Sequence, residues 1–128
     1  MTIVDELGEL ERLVMEVVWS RGRAFVKDVH EELSRTRSLA PTTVSTVLDR
    51  LYRKGFLRRE LVKEGGLRYI YYPKVTREEF QRSKIRRMAT TILDSLEDPA
   101  FASILGDTNL KELKERLRRL ASSESDRG

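Results

Sequence analysis

The hydrophobic positions of this chain change period twice. In "GELERLVMEVVWSR", residues 8 to 21, Leu10, Leu13, Val14, Val17 and Val18 fall at helical spacing and Gly22 follows as a stop. The next stretch, "FVKDVHEELSRT" (25 to 36), repeats the pattern with Val26, Val29 and Leu33. A third, "SLAPTTVSTVLDRLYRKG", places Pro41 where a first helical turn accepts it and ends at Gly55, a natural left-handed cap. The period then shortens to that of strands. "FLRRELVKEGGLRYIYYP" holds two runs rich in leucine, valine, isoleucine and tyrosine. Between them Gly65 and Gly66 supply the positive φ of a tight turn, and Pro73 ends the pairing. A two-stranded hairpin is marginal by itself, so it must lean on the helices before it.

The helical period returns after Thr76. Thr76 and Glu79 form a Thr-x-x-Glu capping box, and Phe80, Ile85, Met88, Ile92 and Leu96 mark one stripe. Residues 97 to 109 read as a break with Pro99, Gly106 and a short apolar turn between them. Leu110, Leu113, Leu117 and Leu120 then carry a seven-residue repeat for about one and a half heptads. The resulting fold class is mainly α with a small β-hairpin: a winged helix-turn-helix over residues 1–75, a helical dimerisation arm over 76–121 and a disordered tail over 122–128. The arm can fold back on its own head or pair with a second chain. Specificity favours two heads, and a short amphipathic helix needs a surface to bury against. Dimerisation is therefore assigned to Phe80, Ile85, Met88, Ile92, Leu96, Leu110, Leu113, Leu117 and Leu120.

On a wheel of about 100° per residue, Val44, Val47, Leu48 and Leu51 of the third helix face a core. Thr42, Thr43, Ser45, Thr46, Asp49, Arg50 and Arg53 occupy the other side, with Thr43, Thr46 and Arg50 aligned as a ridge. Short side chains let a helix approach base edges, a threonine methyl suits the thymine methyl, and arginine binds guanine bidentately. Capping chemistry is the competing account of the hydroxyls. Against it, β-branched threonines are poor helix formers. Asp49 fits a DNA face poorly and pairs more naturally with Arg53 one turn on.

Charge sharpens this picture. The 128 residues carry a net charge of +4, and between Arg50 and Lys74 eight basic residues (50, 53, 54, 58, 59, 63, 68 and 74) face two acids, Glu60 and Glu64. Such a local excess attracts a polyanion. Thr42, Thr43, Ser45, Thr46, Arg50, Arg53 and Lys54 are assigned to DNA, with Lys63 and Arg68 reaching phosphate from the wing. One of Arg58 and Arg59 points away from DNA, because strand neighbours alternate faces. The hairpin tyrosines read as packing residues rather than base-stacking ones.

Other chemistry is thin. The single histidine, His30, has no clustered carboxylates, and there is no cysteine, so no catalytic, metal or cofactor site is expected. No apolar run approaches the ~20 residues of a membrane span, and an acidic N-terminus without an apolar signal region points to a cytoplasmic protein. Two rivals to sequence-specific readout stand: a winged helix used for protein contacts, and sequence-independent DNA binding. Salt dependence and the ratio of specific to random binding separate them.

The stretches "LGELERLVMEVVWS", "VHEELS" and "APTTVSTVLDRLYRKGFL", with the wing ending "YIYYP", resemble the penicillinase-repressor family (BlaI/MecI type) over about residues 7 to 75. The resemblance implies a homodimeric transcriptional repressor on a pseudo-palindromic operator, in promoters that often include its own. It matches Thr43 and Thr46 to threonines of the family's recognition helix, whereas Thr42 stands where better-known members have lysine and Ser45 also differs. Sensor-controlled members are cleaved at an Asn-Phe pair that "FASILGDTNL" lacks, and the cysteine-rich terminus of copper-responsive relatives has no counterpart. The resemblance thus leaves the inducing signal, an effector or a protease, open.

Overall fold

The computed structural model describes residues 7–122, so residues 1–6 of the expected head and the expected tail from residue 123 lie outside the described residues. The chain divides into two compact units, one ending at Glu79 and the other beginning at Phe80. In the first, helices α1 (Glu9–Arg21), α2 (Val26–Leu33) and α3 (Pro41–Arg53) pack pairwise, and strands β2 (Leu57–Val62) and β3 (Arg68–Pro73) form the hairpin. The fully buried side chains are Val14, Met15 and Val18 of α1, Val29 of α2, Val44, Leu48 and Leu51 of α3, and Phe56 and Leu57. Each such burial contributes on the order of 1.5–3 kcal/mol. The apolar stripes read from the sequence are therefore the core of this unit.

One strand escaped the periodicity. Ala24 and Phe25 form β1, which pairs with β3 through Ala24–Tyr71 and Phe25–Ile70, so the sheet has three strands in the order β1-β3-β2 rather than two. Two residues are too few to show a period of two. The connection answers the instability of a lone hairpin, since β1 ties the wing's base to the start of α2.

The ends of α3 are built as expected. Pro41 opens the helix, and Gly55 at φ 88° closes it with a paired motif in which Phe56 N–H donates to the Leu51 carbonyl (2.9 Å) and Gly55 N–H to that of Tyr52 (3.1 Å). The carbonyl of Phe56 accepts from Lys74 N–H at 2.8 Å, which joins the two ends of the hairpin. His30 Nε2 lies 2.8 Å from the Leu39 carbonyl. A carbonyl only accepts, so the imidazole donates there and staples α2 to the turn before α3. Behind the hairpin, Trp19 Nε1 donates to the Val75 carbonyl (2.8 Å) and Arg77 pairs with Glu16 (3.0 Å).

Helix α4 (Arg77–Ser95) starts at the capping box, with Glu79 N–H on Thr76 Oγ1 at 3.0 Å and Thr76 N–H on Glu79 Oε1 at 2.9 Å. The expected break is shorter than read. Six of its residues form α5 (Ala100–Leu105), and α6 (Asp107–Ala121) begins directly after Gly106. The second unit has a small core of its own: Ala89 from α4 and Leu96 just past its end, with Leu110 and Leu117 from α6, flanked by Leu93, Phe101, Leu105 and Leu113. Several residues of the dimerisation assignment take part in this core or are otherwise buried. Leu110, Leu113, Leu117 and Leu96 are covered by their own chain, and Phe80 is buried too. Ile85, Met88 and Ile92 sit on a neighbouring face of α4 and stay exposed, as do Ile104 and Leu120. The core stripe of α4 runs through Ala89, which the reading by large residues passed over.

Candidate nucleic-acid interface

The outer face of α3 carries Thr42, Thr43, Ser45, Thr46, Arg50 and Arg53, all exposed, while Val44, Val47, Leu48 and Leu51 hold the helix from behind. No side chain caps the helix start, where Ala40 is the N-cap and its carbonyl accepts from Thr43 N–H (3.0 Å) and Val44 N–H (3.3 Å). The capping account of the hydroxyls therefore fails at this end. What remains is a proline-opened helix start with short polar side chains, a setting suited to phosphate. Thr42, Thr43, Thr46 and Arg50 rim a shallow hollow of about 320 Å³ whose apolar lining comes from Leu10 and Val47.

The basic residues divide into two kinds. Arg50 is half-exposed, with Nη1 3.9 Å from Glu11 Oε2. Lys54 is held inward: its Nζ lies 3.0 Å from Glu11 Oε1 and its side chain is 29% exposed. Glu11 is the one buried charged residue among the described residues, and the sequence reading missed it. Burial works against its charge. The Gly8 N–H at 2.9 Å, Lys54 and Arg50 outweigh that and hold the carboxyl below its ordinary value. Lys54 is thus first a strut between α1 and the end of α3. The only prior signal for this was a glutamate at the start of an apolar helix, which reads as solvated.

On the wing, Lys63 is exposed beside the Gly65–Gly66 turn, where φ is 69° and 106°. Arg68, assigned to backbone phosphate, is engaged within its own chain. It folds back, its Nε donating to the Glu64 carbonyl (3.2 Å) and its guanidinium lying 3.9 Å from the centre of the Phe25 ring. Strand register separates the next pair. Arg58 faces Tyr72 and is exposed, stacked on that ring at 4.1 Å and bonded to Glu60 at 3.3 Å. Arg59 faces Tyr71 and turns to α3, where Nη1 donates to Asp49 Oδ1 at 2.9 Å. The other oxygen of Asp49 accepts from Arg53 Nε at 2.8 Å, the pairing expected from the spacing. Hydrogen bonds from Arg53 and then Arg59 hold the Asp49 carboxyl below its ordinary value.

Among the described residues, no group of three histidine, cysteine or acidic side chains could hold a metal ion, and no helix is long and apolar enough to cross a membrane.

The model of the penicillinase repressor family matches residues 7–122, the whole of the described residues. The chain belongs to the penicillinase repressor family. It is 50% identical over 58 residues to the transcriptional regulator BlaI of Mycobacterium tuberculosis, a stretch that covers 44% of this chain and 42% of that one. It is 31% identical over 80 residues to the penicillinase repressor of Bacillus licheniformis, covering 62% and 60%. These matches span about half the length of the curated relatives. The solved DNA-binding domain of the repressor BlaI superimposes with a TM-score of 0.51 at 32% identity, over 62% of this chain and 93% of that one. Head and neighbour share the winged helix, and the match of the family model extends through the helical second unit.

Proposed function

We propose that this penicillinase repressor family member is a sequence-specific DNA-binding transcriptional regulator without enzymatic activity, acting as a homodimeric repressor on a pseudo-palindromic operator. The exposed ridge of Thr43, Thr46 and Arg50 on a helix held from behind by a packed core carries this reading. In it, α3 lies in the major groove and Lys63 reaches backbone phosphate from the wing. Arg53 adds charge at the helix end. The names of the relatives, a transcriptional regulator and a penicillinase repressor, support the same role. The exposed Ile85, Met88 and Ile92, at i, i+3 and i+7 on α4, support pairing through the second unit, with Leu120 adding apolar surface. A regulator of this kind works beside the chromosome, in the cytoplasm.

The test is fluorescence anisotropy on a duplex from upstream of its own gene, against a random duplex, across a salt series. The upstream duplex is expected to bind tighter, with affinity falling steeply as salt rises. Arg50→Ala and Thr46→Ala should reduce the preference, by about 10- to 100-fold for the arginine, the range of one lost bidentate base contact. Equal binding of both duplexes by wild type would leave only sequence-independent attraction at that site. No binding at low salt would end the DNA reading and favour a protein-contact winged helix.

A further inference from the structure

The side chains that join the recognition helix to the wing are more elaborate than the packing of a hairpin needs. Register places Arg59 opposite Tyr71 and Leu61 opposite Tyr69, so these four share the sheet face turned to α3. Within it, the Arg59 guanidinium lies between two rings, 3.9 Å from the centre of Tyr52 on α3 and 4.0 Å from the centre of Tyr69 on β3. Tyr69 in turn leans on Tyr71, centre to centre 6.2 Å. Arg59 also donates to Asp49 at 2.9 Å, and Asp49 spends its second oxygen on Arg53. The result is a bridge from the last turn of α3 to both strands. Arg59 is 17% exposed in it, against 54% for its neighbour Arg58.

Its place in the hairpin matters. β1 supports β3 at Ile70 and Tyr71, and the Gly65–Gly66 tip lies six residues beyond Arg59. At about 3.3 Å per residue that is a lever of roughly 20 Å, so a tilt of about 10° at Arg59 moves the tip by about 3 Å. A helix in one groove and a wing on the flanking backbone engage together only if the angle between them is held more closely than that. Asp49 itself is a poor candidate for reading a base: both of its oxygens are already bonded to arginines.

We propose that Asp49 and Arg59 are positioning residues for DNA readout: their bridge, closed by Tyr52 and Tyr69, sets the angle of the wing to α3 so that both engage one duplex in a single register. This rests on the DNA-binding reading above.

The experiment uses the full chain and the duplex that wild-type protein enriches from a random-sequence pool. Asp49→Asn, Arg59→Gln, Arg59→Lys and the Asp49→Asn/Arg59→Gln double variant are compared by melting, anisotropy and hydroxyl-radical footprinting. Arg59→Gln is expected to stay folded and to lose about tenfold in the ratio of enriched to random affinity. Protection of the backbone flanking the helix site should fade while protection over that site persists. Asp49→Asn should do the same more weakly, the double variant should be no worse than Arg59→Gln, and Arg59→Lys should restore part of the flanking protection. Folded Asp49→Asn and Arg59→Gln proteins that keep both the affinity ratio and the flanking protection overturn the proposal alone. If wild type enriches no sequence, the DNA reading fails and this inference fails with it. Should Arg59→Gln not fold, the exposed-side change Asp49→Asn decides by the same two readouts.

Discussion

Glu11 shows how much of this head's stability hangs on one side chain. Its carboxylate is buried, accepts the Gly8 N–H that starts α1, and pairs with Arg50 of α3 and with Lys54 just past its end. The folded protein holds its carboxyl below the ordinary value of 4.5. A depressed carboxylate contributes stability that is present above the unfolded value and lost as pH falls through the folded one. Melting temperature should therefore be level near neutrality and decline below about pH 4.5, with Glu11→Gln flattening part of that decline. Glu11→Ala removes the carboxylate that ties Lys54 and Arg50 to α1 and should cost about 1–3 kcal/mol, read by denaturant unfolding. The same geometry separates two lysines assigned alike from the sequence. Lys54→Ala should lower stability while leaving the salt slope of DNA binding nearly unchanged. Lys63→Ala should do the reverse, reducing that slope by about one and sparing the melt. A melt unaffected by Lys54→Ala would make that lysine a phosphate contact after all.

At the scale of elements, the wing depends on its turn. Gly66 sits at φ 106°, a conformation an L side chain rarely adopts, although no heavy atom crowds the added Cβ. Gly66→Ala is expected to cost about 1–2 kcal/mol through backbone strain alone, seen as a lower melting temperature and faster amide exchange in residues 62–68. An unchanged exchange rate would mean the turn relaxes to another type. The elements themselves were legible where local chemistry repeats or punctuates: three helices from apolar spacing, the hairpin from paired glycines, α4 from its capping box. β1 and α5 were not. A two-residue strand exists only because β3 offers it a partner, and a six-residue helix has too few turns to show a period.

For the whole molecule, the second unit separates folding from association. Its core of Ala89, Leu96, Leu110 and Leu117 is complete within one chain, so a charge on the neighbouring face should not unfold it. Met88→Glu is expected to melt like wild type, to sediment as a monomer while wild type is expected to sediment as a dimer, and to bind a two-half-site duplex no better than a single half-site. A Met88→Glu protein that remains dimeric would move the interface elsewhere, toward the exposed Ile104 and Leu120.

What the sequence determined by itself was everything carried by short-range pattern: the order of the longer helices and the hairpin, the buried face of α3, and the hydroxyl and arginine face opposite it. These follow from spacing along one helix or strand, which the chain states directly. Tertiary structure alone decided which charges are spoken for. Glu11 meets Lys54, Asp49 meets Arg59, and Arg68 meets Phe25 across separations that no local period encodes. Only packing brings those groups together, and it engages two of the expected DNA contacts, Lys54 and Arg68, within the chain while burying the small residue, Ala89, on which the second core rests.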